Sequence, residues 1–448
     1  MPTRDFRSYV GLSRMGRTNN RYSVDSCKGI KKPVTASMLN KIQEFFTSNV
    51  FGWLKHDWRV PKAFDYPPIE DSVYPMQPGE EIRIGVAADW ATDTVQSKWV
   101  GSSINKKNPD YTIHLGDTYF SGAPDELAAN FGKGKSLVGS LKPGYWPRGR
   151  FGTFALCGNH EMFSSGYPYL AMITNPLRGF GLCSSEPDNY TGQESPNFCL
   201  YNDHWIIIGL DTGYHSLNRG IHINPTNEEL SLPKPVEDWI TEKVKALPTG
   251  KQRALIVLSH HQYVTAFNEE TEFHNPAVQL KKLFPWTKQI LWIWGHEHRF
   301  AMYGKNQIDT DHITTFGRCI GNGGMPDEHT NGRHIIDREA RKRKLIVYDK
   351  RIADHIPLSS KPHSKTQEVG FNGYAMIILR GQKAEITYYA AYNKHESEEH
   401  GHDNPVFQEF WTSENGQLDF NHAADLTANN SNTKLAYFEE SIPNDVGG

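Results

Sequence analysis

From residue 82 onward, short apolar runs recur along the chain, and each is long enough for one β-strand. They are rich in β-branched and aromatic residues, which favour strands, and polar loops follow several of them. The runs are I-R-I-G-V-A-A (82–88), Y-T-I-H-L (111–115), F-G-T-F-A-L (151–156), W-I-I-I-G-L (205–210), A-L-I-V-L (254–258) and I-L-W-I-W (290–294). This pattern predicts the strands of a buried, sheet-based core.

Segments with helical spacing of apolar residues lie between these runs. The clearest are residues 94–105 and 235–247, the second of which contains V-E-D-W-I-T-E-K-V-K-A-L. Strands that alternate with helices predict a mixed α/β fold. Farther along, residues 374–380 and 384–390 flank R-G-Q-K, which predicts a hairpin that closes a sheet.

The two ends of the chain lack this regular alternation of apolar runs and helical segments. Residues 37–48 predict a short amphipathic helix, after which prolines at five positions between 61 and 78 favour an extended segment. We therefore expect an N-terminal extension over residues 1–80, the main domain over 81–395, and a C-terminal tail over 396–448 that packs on the domain. The charge run 337–344 is expected to be a solvated face.

Composition narrows the possible classes of protein. With 38% hydrophobic and 22% charged residues, the chain has enough apolar material for a packed core. A net charge of -3 gives no reason to expect binding to nucleic acid or to an anionic membrane. The five cysteines are scattered, the N-terminus has no apolar signal region, and no stretch approaches the roughly 20 apolar residues of a membrane span. A cytoplasmic protein without a membrane segment is expected.

Polar side chains that can bind metals follow the predicted strands. They are Asp89, Asp117, Asn159 with His160, His260 with His261, and His296 with His298, while the run 205–210 is followed by Asp211. Any one of them alone is more typical of a turn or a helix cap. In open α/β sheets, however, ligands collect at the carboxyl ends of strands. Carboxylate with imidazole suits zinc, iron or manganese, so the ordered set predicts a metal site.

The ordered series D (89), G-D (116–117), G-N-H-E (158–161), H-H (260–261) and G-H-E-H (295–298) resembles the calcineurin-like metallophosphoesterase superfamily, which includes the purple acid phosphatases. The resemblance covers roughly residues 80–395. It implies a four-layer αββα sandwich of two mixed β-sheets with flanking helices. It also implies an enzyme that hydrolyses phosphate mono- or diesters with a hydroxide activated by two metal ions, which would be Mn, Zn or Fe.

The same resemblance assigns six metal ligands and one catalytic residue. The ligands are Asp89 and His298 for the first ion, Asn159, His260 and His296 for the second, and Asp117 as the bridge between both. His160 would face the substrate and either protonate the leaving oxygen or stabilise the phosphoryl charge. Glu161 is expected to fix the loop rather than to take part in the chemistry.

The first motif departs from the usual pattern. Most members carry D-x-H, whereas Asp89 is followed here by Trp90 and Ala91, so one histidine ligand is absent. Purple acid phosphatases share the tryptophan and use a tyrosine three residues after the bridging aspartate, where this chain has Phe120; its tyrosine, Tyr119, stands one position earlier. Either Tyr119 reaches the first ion as a phenolate, or that ion has three protein ligands and water. Since neighbouring residues in a turn normally point apart, we favour the second interpretation.

Several residues near the motifs have more than one interpretation. His261 either contacts the substrate or the metal ligands, or simply packs; Asp211 and Tyr263 are equally open, and for Arg299 a surface salt bridge is favoured over a phosphate contact. Substrate choice is expected to depend on segments 122–150, 163–200 and 321–372.

Two alternatives to the phosphoesterase follow from these observations. The absent first-motif histidine would also suit a metal-binding scaffold of the same fold with little or no activity. A DNA nuclease would use the same chemistry, but the balanced charge speaks against it. The sequence gives no prediction of the oligomeric state.

Overall fold

The structure is a computed structural model of the chain. It describes residues 66, 69, 72–119, 122–131, 145–174, 193, 195–216, 230–247, 253–267, 271–325, 342–357, 366–392, 402–427 and 436–437. The predicted helix at 37–48, Phe120, most of the N-terminal extension and parts of the three segments expected to govern substrate choice lie outside these residues.

One of the two large sheets has seven strands within the described chain. Its strands are β2 (Ile82–Ala87), β3 (Tyr111–His114), β4 (Gly152–Ala155), β14 (Gly373–Arg380), β15 (Lys383–Tyr392), β16 (His402–Glu414) and β17 (Gln417–Asp425). Their order is β17-β16-β15-β14-β2-β3-β4. Strands β2, β3 and β4 run parallel, and the remaining pairs are antiparallel, so this sheet is mixed.

The other sheet has nine strands in the described part of the chain. They are β1 (Val73–Pro75), β5 (Phe198–Tyr201), β6 (Trp205–Leu210), β7 (Ala254–Ser259), β8 (Gln289–Trp294), β9 (Phe300–Asn306), β10 (Thr314–Ile320), β11 (Leu345–Tyr348) and β18 (Ala436–Tyr437). Their order is β1-β5-β6-β7-β8-β10-β9-β11-β18, with β6, β7, β8 and β10 parallel. Strands β12 (Asp354–Pro357) and β13 (Thr366–Val369) form a separate antiparallel pair.

Helices connect the strands. They are α1 (Val95–Lys106), α2 (Pro124–Asn130), α3 (Asn159–Met162), α4 (Tyr167–Thr174), α5 (Lys234–Trp239), which continues as a π-helical turn over Ile240–Val244, and α6 (Asn275–Leu283). A 3₁₀ turn spans Tyr214–Ser216. Thr94 caps the start of helix α1: its hydroxyl accepts the Ser97 backbone N–H, while the Ser97 hydroxyl accepts the N–H of Thr94. This reciprocal cap fixes where the helix starts.

The core is layered. Apolar side chains from the inner faces of both sheets, such as Ile84, Phe154 and Ile256, form one buried cluster between them. A second cluster lies between the nine-stranded sheet and helices α5 and α6, and a third packs α1 against the seven-stranded sheet. The predicted architecture of two mixed sheets with flanking helices is therefore confirmed.

The strand predictions are confirmed for all six apolar runs, which form β2, β3, β4, β6, β7 and β8, and for the hairpin β14–β15. The C-terminal region differs from the expected tail. Strands β16 and β17 extend the seven-stranded sheet as far as residue 425, and β15 and β16 pair over most of their length. Among the described helices, none is long and apolar enough to cross a membrane.

Candidate metal centre

The candidate ligands lie where the two sets of parallel strands end. Three of them, Asp89, Asp117 and His296, have positive φ angles of 55°, 69° and 65°. This left-handed conformation is uncommon for residues other than glycine and turns the chain sharply at the strand end. A side chain at Gly158 would overlap the Asp117 carboxylate, and one at Gly295 would lie 2.6 Å from Asp89 Oδ2. The tight turns bring side chains from both sheets into one cluster.

One half of the cluster is formed by Asp117, Asn159, His260 and His296. His260 Nε2 lies 3.3 Å from Asp117 Oδ1 and 3.0 Å from Asn159 Oδ1, while His296 Nδ1 lies 2.9 Å from the same asparagine oxygen. The other ring nitrogen of His260, Nδ1, is 3.0 Å from the Leu115 carbonyl oxygen, to which it can donate. His260 Nε2 then faces two oxygens, and a cation that displaced its proton could bind the nitrogen and both oxygens together.

The other half is formed by Asp89, Tyr119 and His298, again with Asp117. His298 Nε2 lies 3.6 Å from Asp89 Oδ1. The Tyr119 hydroxyl is 2.8 Å from Asp89 Oδ1, 3.1 Å from Asp117 Oδ2 and 2.7 Å from His298 Nε2. Tyr119 therefore does not point away from the first-ion ligands, which removes the reason for favouring three protein ligands and water.

The local backbone explains the position of Tyr119. Its N–H donates to the Ala91 carbonyl at 2.9 Å, and Ala91 and Thr118 form a parallel bridge. Ala91 stands where the resemblance would place a histidine, and its main chain holds the loop that carries the tyrosine. The ring of Tyr119 also packs against His160, with ring centroids 4.3 Å apart.

Helix α3, which begins at Asn159 and includes His160, is tied to Asp117. The His160 backbone N–H donates to Asp117 Oδ1 at 2.9 Å, and His160 Nε2 lies 3.7 Å from Asp117 Oδ2. Glu161 accepts the backbone N–H groups of Asp117, Thr118 and Gly158 at 3.1, 2.6 and 2.8 Å. Glu161 thus fixes the turn at Asp117 and the start of α3, in agreement with its predicted structural role.

The electrostatics also favour a bound cation. Asp89 and Asp117 are almost fully buried, and burial, together with the nearby Asp117 charge, raises the pKa of Asp89 well above its usual range. Burial has the same tendency at Asp117, but His260 and His160 outweigh it and hold the pKa of Asp117 well below its usual range. Burial opposes protonation of His260, yet the Asp117 carboxylate raises the pKa of His260 to about 9. Buried carboxylates of this kind need a positive partner.

The donor atoms themselves fit a metal. Two groups have one ligand atom per residue within 4.8 Å of each other: Asp89, Asp117 and His260 in one, and His260, His261 and His296 in the other. Carboxylate oxygens and imidazole nitrogens are the ligands of zinc, iron and manganese sites.

The calcineurin-like phosphoesterase family profile matches residues 82–300, the span that holds every ligand and catalytic residue predicted from the sequence. Over these residues the chain is similar to calcineurin-like phosphoesterases. Members of this family normally bind divalent metal ions. The match supports a metal-dependent phosphoesterase in general. No curated protein sequence matches the chain.

A structural comparison of the whole chain finds, among others, three solved proteins, each 12% identical to it. A purple acid phosphatase PPD1 from yellow lupin (Lupinus luteus) seeds aligns over 75% of this chain and 54% of its own, with a TM-score of 0.41. PhoD aligns over 78% and 72%, with a TM-score of 0.45. GAP50, the anchor in the inner membrane complex of Plasmodium, aligns over 76% and 91%, with a TM-score of 0.41. The chain spans about half the length of the lupin protein.

Other residues within the matched span 82–300 take positions that the sequence left open. Arg299 is fully buried, with its guanidinium 3.7 Å from the Phe267 ring centroid, so the expected surface salt bridge is wrong. Tyr263 stacks on Trp292. Burial raises the pKa of Asp211 to about 7, and its carboxylate accepts the Tyr214 N–H, which fixes the turn after β6.

His261 lies in the ligand cluster itself. Its ring centroid is 4.8 Å from that of His260 and 4.7 Å from that of His296. Burial and these two imidazoles hold the pKa of His261 well below its usual range. The doublet H-H after β7 was the sequence signal for this residue, but beyond the end of a strand no repeat fixes the directions of adjacent side chains, so the pattern alone gave no common target.

Proposed function

We propose that the chain is a cytoplasmic phosphoesterase that hydrolyses phosphate mono- or diesters with the help of two metal ions. One observation carries this proposal. The two carboxylate oxygens of Asp117 face different ligand groups: Oδ1 lies 3.3 Å from His260 Nε2, and Oδ2 lies 3.1 Å from the Tyr119 hydroxyl. A carboxylate in this position suits a bridge between two ions.

The residues divide between the two ions as follows. Asp89, His298 and Tyr119 would hold the first ion, Asn159, His260 and His296 would hold the second, and Asp117 would contact both. Bound ions would supply positive charge for the phosphoryl oxygens and lower the pKa of a coordinated water.

His160 is the residue proposed to act on the leaving group of the ester. Its backbone is fixed by the bond to Asp117 Oδ1, and its ring packs against Tyr119 beside the ligands. A ring nitrogen held there can donate a proton to the departing ester oxygen or a hydrogen bond to a phosphoryl oxygen. The cytoplasmic location is supported by Cys157, Cys199 and Cys319, which are buried free thiols.

Metal removal tests the proposal. We expect the metal-free chain to be inactive toward p-nitrophenyl phosphate and bis-p-nitrophenyl phosphate, and addition of Mn, Zn or Fe to restore turnover. His160→Ala serves as the matched variant, because it should keep its metal ions but lose roughly 10²–10⁴-fold in rate. Absence of turnover with every metal would favour the scaffold alternative. Activity on single-stranded DNA comparable to that on the small esters would favour the nuclease.

Tyr119→Phe tests the first-ion ligands separately. We expect this variant to bind the first ion at least about tenfold more weakly, because it loses an oxygen that lies close to Asp89, Asp117 and His298. If the ion is ferric iron, a visible tyrosinate band should also disappear. Elemental analysis after dialysis, with absorbance spectra, measures both effects.

Tyr374→Phe is the control for that substitution. The buried hydroxyl of Tyr374, on β14, donates to Asp403 on β16 and to none of the proposed metal ligands. Tyr374→Phe should leave the metal content unchanged. Equal metal content in Tyr119→Phe and the wild-type chain would restore the interpretation with three protein ligands and water.

A further inference from the structure

His261 has a buried ring nitrogen that nothing in the described chain satisfies. Its side chain is almost fully enclosed, and Nε2 has no hydrogen-bond partner among the described residues. On the other side of the ring, Nδ1 lies 3.0 Å from the Thr212 hydroxyl oxygen, which also accepts the backbone N–H of His261 at 3.1 Å. Buried polar atoms are nearly always paired, so this nitrogen is available to a ligand from outside the chain, and its position beside His260 and His296 decides which kind of ligand that is.

The positions of the three imidazole rings fit coordination of one ion. A metal–nitrogen distance of about 2.1 Å places a coordinated ring centroid about 3.2 Å from the ion. Two such rings are then about 4.5 Å apart at a right angle and about 5.2 Å apart at a tetrahedral angle. The centroid separations are 4.7 Å for His261–His296, 4.8 Å for His260–His261 and 5.2 Å for His260–His296. All three separations fall within that interval.

The hydrogen bonds on the far side of the rings also support metal coordination. Metal-binding histidines almost always have a partner on the ring nitrogen that faces away from the metal, and this partner fixes the ring orientation. His260 Nδ1 has the Leu115 carbonyl in this role, and His261 Nδ1 has the Thr212 hydroxyl. In both residues, Nε2 is the nitrogen left for a ligand.

We propose that His261 is a third imidazole ligand of the second metal ion, in the phosphoesterase centre on whose existence this assignment rests. The second site would then combine His260, His261 and His296 with oxygen ligands, whereas the first site has one histidine among oxygen ligands. Nitrogen-rich sites favour zinc, cobalt or nickel over magnesium and manganese. The two positions should therefore differ in metal preference, and the second should retain zinc or cobalt more tightly than the first.

Cobalt binding to the full-length, metal-free chain tests the assignment without reference to activity. We expect His261→Gln to bind the second Co²⁺ at least about tenfold more weakly, and its visible absorption to change because a nitrogen ligand is lost. His312→Gln is the matched control: His312 is buried, has one ring nitrogen bonded to Asp309 and the other without a partner in the described chain, and lies outside the cluster. This control should bind cobalt like the wild-type chain.

Unchanged cobalt affinity and spectrum in His261→Gln would overturn the proposal, and would indicate that Thr212 donates to Nδ1 while Nε2–H is a donor. If His261→Gln fails to fold, a measurement on the wild-type chain still tests the proposal. In the proton NMR spectrum of the cobalt-loaded chain, each coordinated imidazole gives a strongly shifted exchangeable N–H signal. Such a signal from His261 would support coordination, and its absence would overturn it.

These outcomes separate the ligand assignment from the proposed function. Normal cobalt binding through His261 without hydrolysis of any ester would overturn the phosphoesterase and leave the ligand in place. Hydrolysis with cobalt affinity unaffected by His261→Gln would overturn the ligand alone. A wild-type chain that binds no cobalt would overturn both.

Discussion

Asp117→Asn is expected to lower phosphoester turnover by about 10³-fold or more, equivalent to a barrier increase of about 4 kcal/mol. The carboxylate is the group that faces both halves of the ligand cluster, so its loss removes the shared ligand and one negative charge at once. The substitution keeps the shape of the side chain, and asparagine tolerates the positive φ of 69° at this position better than most residues. Steady-state assays with metal-loaded protein, alongside elemental analysis, measure the effect.

A thermal comparison shows whether the loss arises at the metal site. Ions that bind the folded chain raise its melting temperature, so the wild-type chain should melt higher with metal than without. In Asp117→Asn this increase should largely vanish. Asp238→Asn, an exposed change on helix α5, should retain both turnover and the metal-dependent increase. Turnover of Asp117→Asn within tenfold of wild type would contradict the bridging role.

The predictable part of the structure is the part that local sequence determines. Strands β6 and β7 are almost entirely apolar, as expected for strands buried on both faces, and polar residues follow their apolar runs. Parallel strands place those ends at one edge, which is why the metal-ligand set could be proposed from its order along the chain. By contrast, β16 and β17 carry many polar residues on an exposed side, so they resembled a tail.

The parts that escaped prediction depend on contacts between distant residues. The position of Tyr119 follows from its backbone bond to Ala91, across a loop whose path no local pattern encodes. The target of His261 depends on the Thr212 hydroxyl, 49 residues earlier in the chain. Arg318 and Glu409 are 91 residues apart and meet only because the two sheets pack face to face.

The Arg318–Glu409 pair gives the second large expected effect. Arg318 on β10 and Glu409 on β16 are both fully buried, with Nη2 2.7 Å from Oε2 and Nε 3.1 Å from both carboxylate oxygens. The Tyr388 hydroxyl donates to Glu409 at 2.6 Å, and Arg318 Nη1 donates to the carbonyls of Tyr303 and Gly317. Each group is thus paired, and the pair links the two sheets.

Glu409→Gln should destabilise the fold by about 3–5 kcal/mol, because it leaves the Arg318 charge buried without its counter-ion. Denaturant unfolding of the metal-free chain measures this free energy without a contribution from bound ions. Arg380→Met is the control: Arg380 pairs with Glu81 and Glu385 at the surface, with 46% of its side chain exposed, and its removal should change stability by less than about 1 kcal/mol.

The double variant Arg318→Met with Glu409→Leu distinguishes an unpaired charge from lost packing. If the penalty in Glu409→Gln comes from the isolated guanidinium, removing both charges should restore most of the lost stability, since apolar residues of similar volume often replace a buried ion pair without loss. A double variant as unstable as Glu409→Gln would instead show that the hydrogen bonds to Tyr388 and the Tyr303 carbonyl hold the sheets together. In that case the relative position of the two sheets, and with it the metal centre at their shared edge, would depend on the polar network rather than on charge neutralisation.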